Sequence, residues 1–406
     1  MQVVHERCCG LDVHKRVVVA CVLAGQERTI RSFGTLTEDL EALAVWLEAC
    51  GVTHVAMEST GVFWKPIHNV LEGHAFVLLV VNAQHMKAIP GKKTDVKDAE
   101  WIADLLRHGL LKPSFVPARA ERELRELVRY RKSLVRERAA ESNRIQKVLK
   151  GANIKLASVA SHVLGRSGRA MVEGLVCGVS DPTQLADLAR GKLKTKRDEL
   201  VRALRGVVGP HQRLILATQL RHIQCLDAEI EQLSQEIAAR LRPHEEELAR
   251  LQSIPGVGRR TGEVILAEVG TDLSRFPTAG HLASWAGLCP GQNESAGKRR
   301  SGRTRKGSPA LRDALTEAGH AAARTRGCYL AAQYRRIAAR RGANRAAVAV
   351  AHTILIIAYQ LLTHGTIYQD LGANYFDERD KTATVNRAVA RIRRLGYEVT
   401  VTPNAA

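Results

Sequence analysis

Four carboxylates near the start of the chain, Asp12, Glu58, Asp95 and Asp98, have the residue type and surroundings that divalent-cation chemistry needs. Asp12 lies in Cys9-Gly10-Leu11-Asp12-Val13-His14-Lys15, inside an apolar alternation that reads as a strand. Glu58 ends a second such run, Val55-Ala56-Met57-Glu58. A charge in an apolar strand is costly unless it has a partner. Asp95 and Asp98 stand three residues apart in Lys93-Thr94-Asp95-Val96-Lys97-Asp98-Ala99, close to one helical turn, so they can share a helix face. Two strand ends and one helix face make an all-oxygen pocket, the kind Mg2+ prefers, which substrate phosphates complete. Two ions about 4 Å apart would stabilise the attacking and leaving oxygens of a phosphodiester. His14, beside Asp12, reads as structural or substrate-contacting rather than as a ligand.

A second group comes much later. Asn293-Glu294-Ser295-Ala296-Gly297 reads as a small-residue loop, and Lys298, Arg299, Arg300, Arg303, Arg305 and Lys306 follow it. A serine hydroxyl there could attack phosphorus while the cations stabilise the developing charge. On residue types alone Ser295 reads first as a cap or turn former, as most loop serines are. Ser253-Ile254-Pro255-Gly256-Val257-Gly258 separates two helical patterns. Gly256 and Gly258 permit tight backbone geometry and leave amides open to a phosphate, as in a helix-hairpin-helix that binds DNA backbone. A purely structural turn fits the same residues. Arg125, Arg129, Arg144 and Arg312 add cations on neighbouring helices. Neither a Gly-Lys-Ser/Thr phosphate loop nor a dinucleotide fingerprint occurs, and the eight cysteines show no zinc spacing.

The elements that must position these groups follow from periodicity. Strands are expected near 8–13, 17–23, 29–33, 54–58 and 75–81, with helices over 36–50, 61–72 and 96–107. Three strands, a helix, then strand and helix again is the order of a ribonuclease-H-like mixed α/β domain. From Arg119 to about Lys150 the pattern is helical and basic, with Leu124, Leu127, Leu134 and Val135 as its seam. Leu216, Leu220, Ile223, Leu226, Ile230, Leu233 and Ile237 mark a second seam at coiled-coil spacing. Two such arms suggest an antiparallel hairpin or a dimerisation stalk, and an ordinary helical bundle is the plainer alternative. The expected division is 1–117, an α/β catalytic domain; 118–246, a helical coiled-coil region; 247–365, a mostly helical domain; and 366–406, a polar tail with a basic helix near 385–395. The segment 151–208 has no assigned role.

Composition narrows the partner. Lys and Arg total 61 against 41 Asp and Glu, a net charge of +20, which points to a polyanion such as DNA or RNA. Aromatics at 4% make base-stacking platforms a minor binding mode. The apolar stretch Ala346–Leu362, broken by His352, Thr353 and Gln360, is read as a buried core helix, so no membrane partner is expected. No leader is read at the N-terminus, and reduced thiols fit a cytoplasmic, nucleoid-associated protein.

The motifs together resemble the insertion-sequence-110 family of transposases, RNA-guided DNA recombinases with an N-terminal DEDD domain and a C-terminal serine-bearing domain. Gly10-Leu11-Asp12-Val13-His14-Lys15, Glu58-Ser59-Thr60-Gly61 and Lys93–Ala99 are similar to its acidic motifs; Ser253–Gly258, Ala286-Gly287-Leu288-Cys289-Pro290 and Glu294-Ser295 are similar to successive landmarks of its second domain. The resemblance implies a RuvC-like (ribonuclease-H-like) fold and Mg2+ held by Asp12, Glu58, Asp95 and Asp98. It also implies that Ser295 forms a covalent phosphoserine, and that a homo-tetramer, a dimer of dimers, joins the two centres through coiled-coil arms. A structured guide (bridge) RNA would pair with donor and target DNA. Ala296 stands where that family commonly has glycine, and Ser308-Pro309 replaces a usual glycine-asparagine. The alternative is a metal-dependent RuvC-like nuclease or junction resolvase in which Ser295 is only a loop residue.

Overall fold

Alternation near the N-terminus becomes five strands, β1 Arg7–Val13, β2 Val18–Ala24, β3 Glu27–Phe33, β4 His54–Glu58 and β5 Val77–Val81. The computed structural model describes residues 2–59, 61–82, 98–291, 293–295, 298–301, 304 and 307–402, with backbone only at 293–295 and 299–301. The five strands lie in one sheet of order β3-β2-β1-β4-β5. β1, β2 and β3 pair antiparallel, whereas β4 and β5 run parallel to β1. Both faces of the sheet are covered, which is why the central strands read as near-continuous apolar runs. On one face Cys9, Leu11, Val55 and Met57 pack with Leu40, Leu43 and Leu47 of α1 (Thr37–Ala49) and with Ile67 and Leu71 of α2 (Trp64–Leu71). On the other, Cys8, Cys21 and Ala56 pack with Ala99, Ile102, Ala103 and Leu106 of α3 (Asp98–Arg107).

These elements form one compact unit, Met1–Pro117; the second is Ala118–Ala406. Its frame is a pair of long helices, α4 (Arg119–Gly151) and α9 (Pro210–Leu241). As α4 advances from Glu123 through Arg131 and Arg138 to Glu141, its polar partners recede along α9 from Arg240 through Ser234 and Asp227 to His222. Only an antiparallel pair gives that order. The buried seam of α4 is Leu124, Val128, Arg131, Leu134, Glu141, Ile145 and Leu149. Val135, expected in that seam, is 38% exposed, because the position one turn earlier is held by the buried Arg131.

Residues 152–209, read from the sequence as short helical pieces with Gly or Pro breaks and no assigned role, cover the tip of this pair. Short helices α5 (Leu156–Val159), α6 (Arg166–Val176), α7 (Pro182–Asp187) and α8 (Arg197–Ala203) bring Leu156, Met171, Val172, Leu185 and Leu200 onto Ile145, Leu149, Leu216 and Leu220. At the root, Leu124, Val128, Ile237 and Leu241 enter the core of the C-terminal helices. Those are α10 (Glu245–Gln252), α11 (Arg259–Val269), α12 (Ala279–Trp285), α13 (Pro309–Ala322), α14 (Tyr329–Arg341) and α15 (Ala343–His364). The expected boundary near 246 is therefore not a boundary between units, since one core runs through it. α15 is the one described helix long and apolar enough to cross a membrane by length and composition. Its Ala347, Val350, Ala351, Ile354 and Leu355 are fully buried in this core. The tail carries α16 (Tyr375–Glu378) and α17 (Lys381–Arg394), the latter with no buried residue.

Candidate active site

β1 and β4 are parallel neighbours, with Gly10 opposite Ala56 and Leu11 opposite Met57. One step further the same register sets Asp12 beside Glu58 at the carboxyl ends of both strands. Alternation puts Gly10 and Asp12 on one face of β1, and Ala56 and Glu58 on one face of β4. That face is the one covered by α3, because Cys8 and Ala56 pack on it. Gly10 lets the helix come that close. A Cβ at Gly10 would stand 2.3 Å from the Ala99 carbonyl oxygen and 2.4 Å from the Ala103 nitrogen. α3 runs opposite to β1, since Ala103 O accepts from Cys8 Sγ one turn further on. Its first turn, which begins at Asp98, thus lies toward the end of β1 that carries Asp12.

Asp12 Oδ2 sits 3.0 Å from His14 Nε2, and the Asp12 side chain is 18% exposed. The turn after β1, closed by His14 N donating to Val17 O, holds that imidazole over the carboxylate. His14 thus contacts Asp12 directly and orients it. Glu58 and Asp98 are half-buried. Asp95 lies outside the described residues. Among the described residues no group of three His, Cys, Asp or Glu side chains is gathered closely enough to hold an ion. The donor set nonetheless fits a hard cation: all are carboxylates, on a sheet end that Gly10 opens to a helix N-terminus. The thiols beneath are inert, burial pushing Cys8 and Cys21 each up to about 11.

Ser295, read as a loop residue, is in the structure the last residue of a short strand. β6 (Asn293–Ser295) pairs antiparallel with β7 (Lys298–Ser301), with Ser295 opposite Lys298 and an irregularity at Asn293/Glu294. The Pro290–Thr304 bridge closes the root of this hairpin. A Cβ at Gly307 would stand 2.3 Å from the Ala286 carbonyl carbon and 2.4 Å from the Gly287 nitrogen, so entry and exit of the hairpin are pinned together. Lys298 is exposed and Arg312 is half-buried. Arg303, Arg305 and Lys306 lie outside the described residues, as do the side chains of Ser295, Arg299 and Arg300.

Three of the arginines expected on phosphate, Arg125, Arg129 and Arg144, have internal partners. Arg129 donates through Nε and Nη2 to both carboxylate oxygens of Glu268, at 2.7 and 2.8 Å. Those bonds raise its pKa above the usual guanidinium value. Arg125 donates to the Ala267 and Glu268 carbonyls at 2.7 and 2.5 Å, capping α11, and burial lowers its pKa. Arg144 pairs with Glu141 at 2.5 Å and stays 64% exposed. Gly256 has φ 89°, and a Cβ there would strike the backbone of α13 at 2.4 Å from Ala318 O, so it serves packing. A Cβ at Gly258, the N-cap of α11, meets open space.

Glu268 was not foreseen. It is 1% exposed and accepts from Ser308 Oγ at 3.0 Å as well as from Arg129. Ser308 in turn caps α13 by accepting from Leu311 N. One carboxylate thereby ties α4, α11 and the helix that follows the serine hairpin. A lone charge in the run Val264-Ile265-Leu266-Ala267-Glu268-Val269 was the available signal.

Comparison with known proteins places these two centres in one family. A DEDD-type IS110 model, described as a transposase, matches residues 9–154. A second model, described as Transposase IS116/IS110/IS902 family, matches residues 248–335. The transposase for insertion sequence element IS1111A of Coxiella burnetii is 25% identical over 373 residues, 89% of this chain and 87% of the relative. An uncharacterized 43.6 kDa protein of insertion element IS110 from Streptomyces coelicolor is 33% identical over 222 residues, 50% of this chain and 53% of the relative. A 44.8 kDa protein of insertion element IS116 from Streptomyces clavuligerus is 26% identical over 337 residues, 73% and 79% of the two chains. The two models cover the acidic sheet end and the serine hairpin, and a relative aligns across nearly the whole length: the chain belongs to the IS110 family of transposases.

Proposed function

We propose that this enzyme cuts and rejoins DNA strands at a composite centre made of the Asp12–Glu58–Asp95–Asp98 set and Ser295, for transposition of an insertion sequence. The observation that supports the reading is the register that sets Asp12 beside Glu58 on the sheet face covered by α3, a helix for which Gly10 leaves room. The strand order β3-β2-β1-β4-β5 supports a ribonuclease-H-like, RuvC-like assignment.

In this reading the four carboxylates hold Mg2+, which supplies charge neutralisation at the scissile phosphate. His14 keeps the Asp12 carboxylate turned toward its neighbours. The Ser295 hydroxyl oxygen bonds to phosphorus as the bond to the strand's deoxyribose oxygen breaks, and the serine proton reaches that leaving oxygen by way of solvent, so it departs as a hydroxyl. A hydroxyl of the incoming strand then attacks the phosphoserine and restores Ser295, so the phosphodiester bond count is conserved. Lys298 and its basic neighbours offset phosphate charge. Sequence choice falls to a structured RNA that pairs with donor and target DNA, consistent with a net charge of +20 and few aromatics. Joining two DNA ends asks for more than one copy of the chain.

The test is to incubate the protein with donor DNA, target DNA and RNA from the element's flanks in Mg2+, then to look for DNA covalently attached to protein. The adduct is expected, and Ser295→Ala should abolish it. Asp12→Asn should lower strand cutting by about 100-fold or more. Cleavage that survives Ser295→Ala but not Asp12→Asn would turn the reading into a metal-dependent nuclease.

A further inference from the structure

The stretch from Gly365 to Thr402 lies beyond the ranges that both family models match. Its first half is fastened to the C-terminal core. Tyr368 N donates to Ser253 Oγ at 3.0 Å, and Asp370 accepts from the Tyr368 hydroxyl and from Tyr329 N at the start of α14. Tyr375 and Phe376 of α16 pack on the Tyr329 ring, with centroids 5.1 and 5.2 Å away, and the Arg336 guanidinium lies over Phe376 at 5.2 Å. After that anchor comes α17, which has no buried residue.

α17 is two-sided. Arg387, Arg391 and Arg394 stand at i, i+4 and i+7, one row along the helix, and all three are exposed. Val385, Val389 and Ile392 follow the same spacing on the opposite side. No acidic residue occurs from Lys381 to Tyr397, and none of the three arginines has an ion-pair partner among the described residues. That sets them apart from Arg129 and Arg144, whose charges are answered by Glu268 and Glu141. Arg387 donates through Nε to the Ala383 carbonyl at 3.0 Å and through Nη2 to Thr384 Oγ1 at 3.3 Å, which lays its guanidinium back along the helix. Like charges at this spacing disfavour a helix, and a polyanion laid along the row removes the repulsion.

The rise from Arg387 to Arg394 is about 10 Å, a length over which one DNA strand carries roughly three phosphates. We infer that α17 is a DNA-backbone arm: it lies along one strand of a duplex and sets Arg387, Arg391 and Arg394 on successive phosphates, without reading sequence. DNA is the polyanion that membership of a transposase family gives this chain. A bilayer is a poorer match. Helices that lie in membrane surfaces carry Trp, Phe or Leu on the apolar side, whereas α17 has two valines, both half-buried, and one isoleucine.

Binding by the full chain tests it, so failure here leaves the strand-transfer reading untouched. The probe is a fluorescent DNA duplex of mixed sequence, titrated at several salt concentrations. Arg387→Gln, Arg391→Gln and Arg394→Gln in one chain should lower the slope of log affinity against log salt by about 3, roughly one for each lost contact, and weaken binding equally on unrelated sequences. The melting temperature should not move, because α17 buries nothing. In the unsubstituted chain, bound duplex should shield these three arginines from phenylglyoxal. An unchanged salt slope, or equal labelling with and without DNA, overturns the inference. So does a variant that keeps its DNA slope and instead loses binding to an RNA duplex, binding to phosphatidylserine vesicles, or self-association, since each gives α17 a different partner.

Discussion

At the level of single residues, the smallest one does the most positioning. A Cβ on Gly10 would overlap the backbone of α3 at Ala99 and Ala103, and backbone cannot swing aside as a side chain can. Gly10→Ala is therefore expected to push the helix off the sheet, to cost about 1–3 kcal/mol, and to lower DNA cutting while Asp12, Glu58 and Asp98 all remain. Gly280→Ala is the control. It is an exposed helix position with only ordinary contact to Thr278, and alanine should raise stability by up to about 1 kcal/mol there. Thermal unfolding of the two variants should show opposite signs. Asp12 and Glu58 were legible in the sequence because each interrupts an apolar strand. Glu268 interrupts an apolar run in the same way, yet its partner Arg129 lies 139 residues away, and no local pattern names a partner at that distance.

Among elements, the long helices were legible from spacing and their register was not. Arg131 occupies a seam position of α4 with 4% exposure. It donates to Glu263 of α11 at 2.6 Å, so a hydrophobic pattern skips it and settles wrongly on Val135. Glu263→Leu should cost about 3–5 kcal/mol, because Arg131 would keep only the Ser234 hydroxyl at 3.5 Å. Adding Arg131→Met in the same chain should recover most of that loss, which chemical denaturation of the two variants can measure. Recovery that fails would mean the pair gives more than mutual neutralisation. The serine hairpin was illegible for a different reason. β6 is three residues long and polar, and what fixes it is the Gly307 approach to Ala286–Gly287 rather than any strand propensity. The helices over the tip were legible only as short helical pieces, without bounds or a role, because runs of four to eleven residues show too few turns for periodicity.

For the molecule as a whole, net charge and a shared core make the two largest statements. A chain of +20 that contacts six to ten phosphates should lose about 10³–10⁵ in DNA or RNA affinity between 50 and 200 mM salt. Titration across that range checks it, and a flat response would exclude phosphate contacts as the main source of affinity. The shared core has a mechanical side. α4 is 33 residues long, about 50 Å, with one end embedded among α10–α15 and the other under its own cap of short helices. Inserting seven residues in each arm, after Ala140 and after Ile223, should carry the tip outward by about 10 Å with the melting temperature of the root unchanged. Any reaction that needs the tip at a set reach should then fail. The arm is a lever with its fulcrum at Arg129 and Glu268, and the short end of that lever rests on the cap of α13. A partner that takes hold of the far end gains leverage on the seat of the serine, trading a long travel outside for a small, forceful adjustment within.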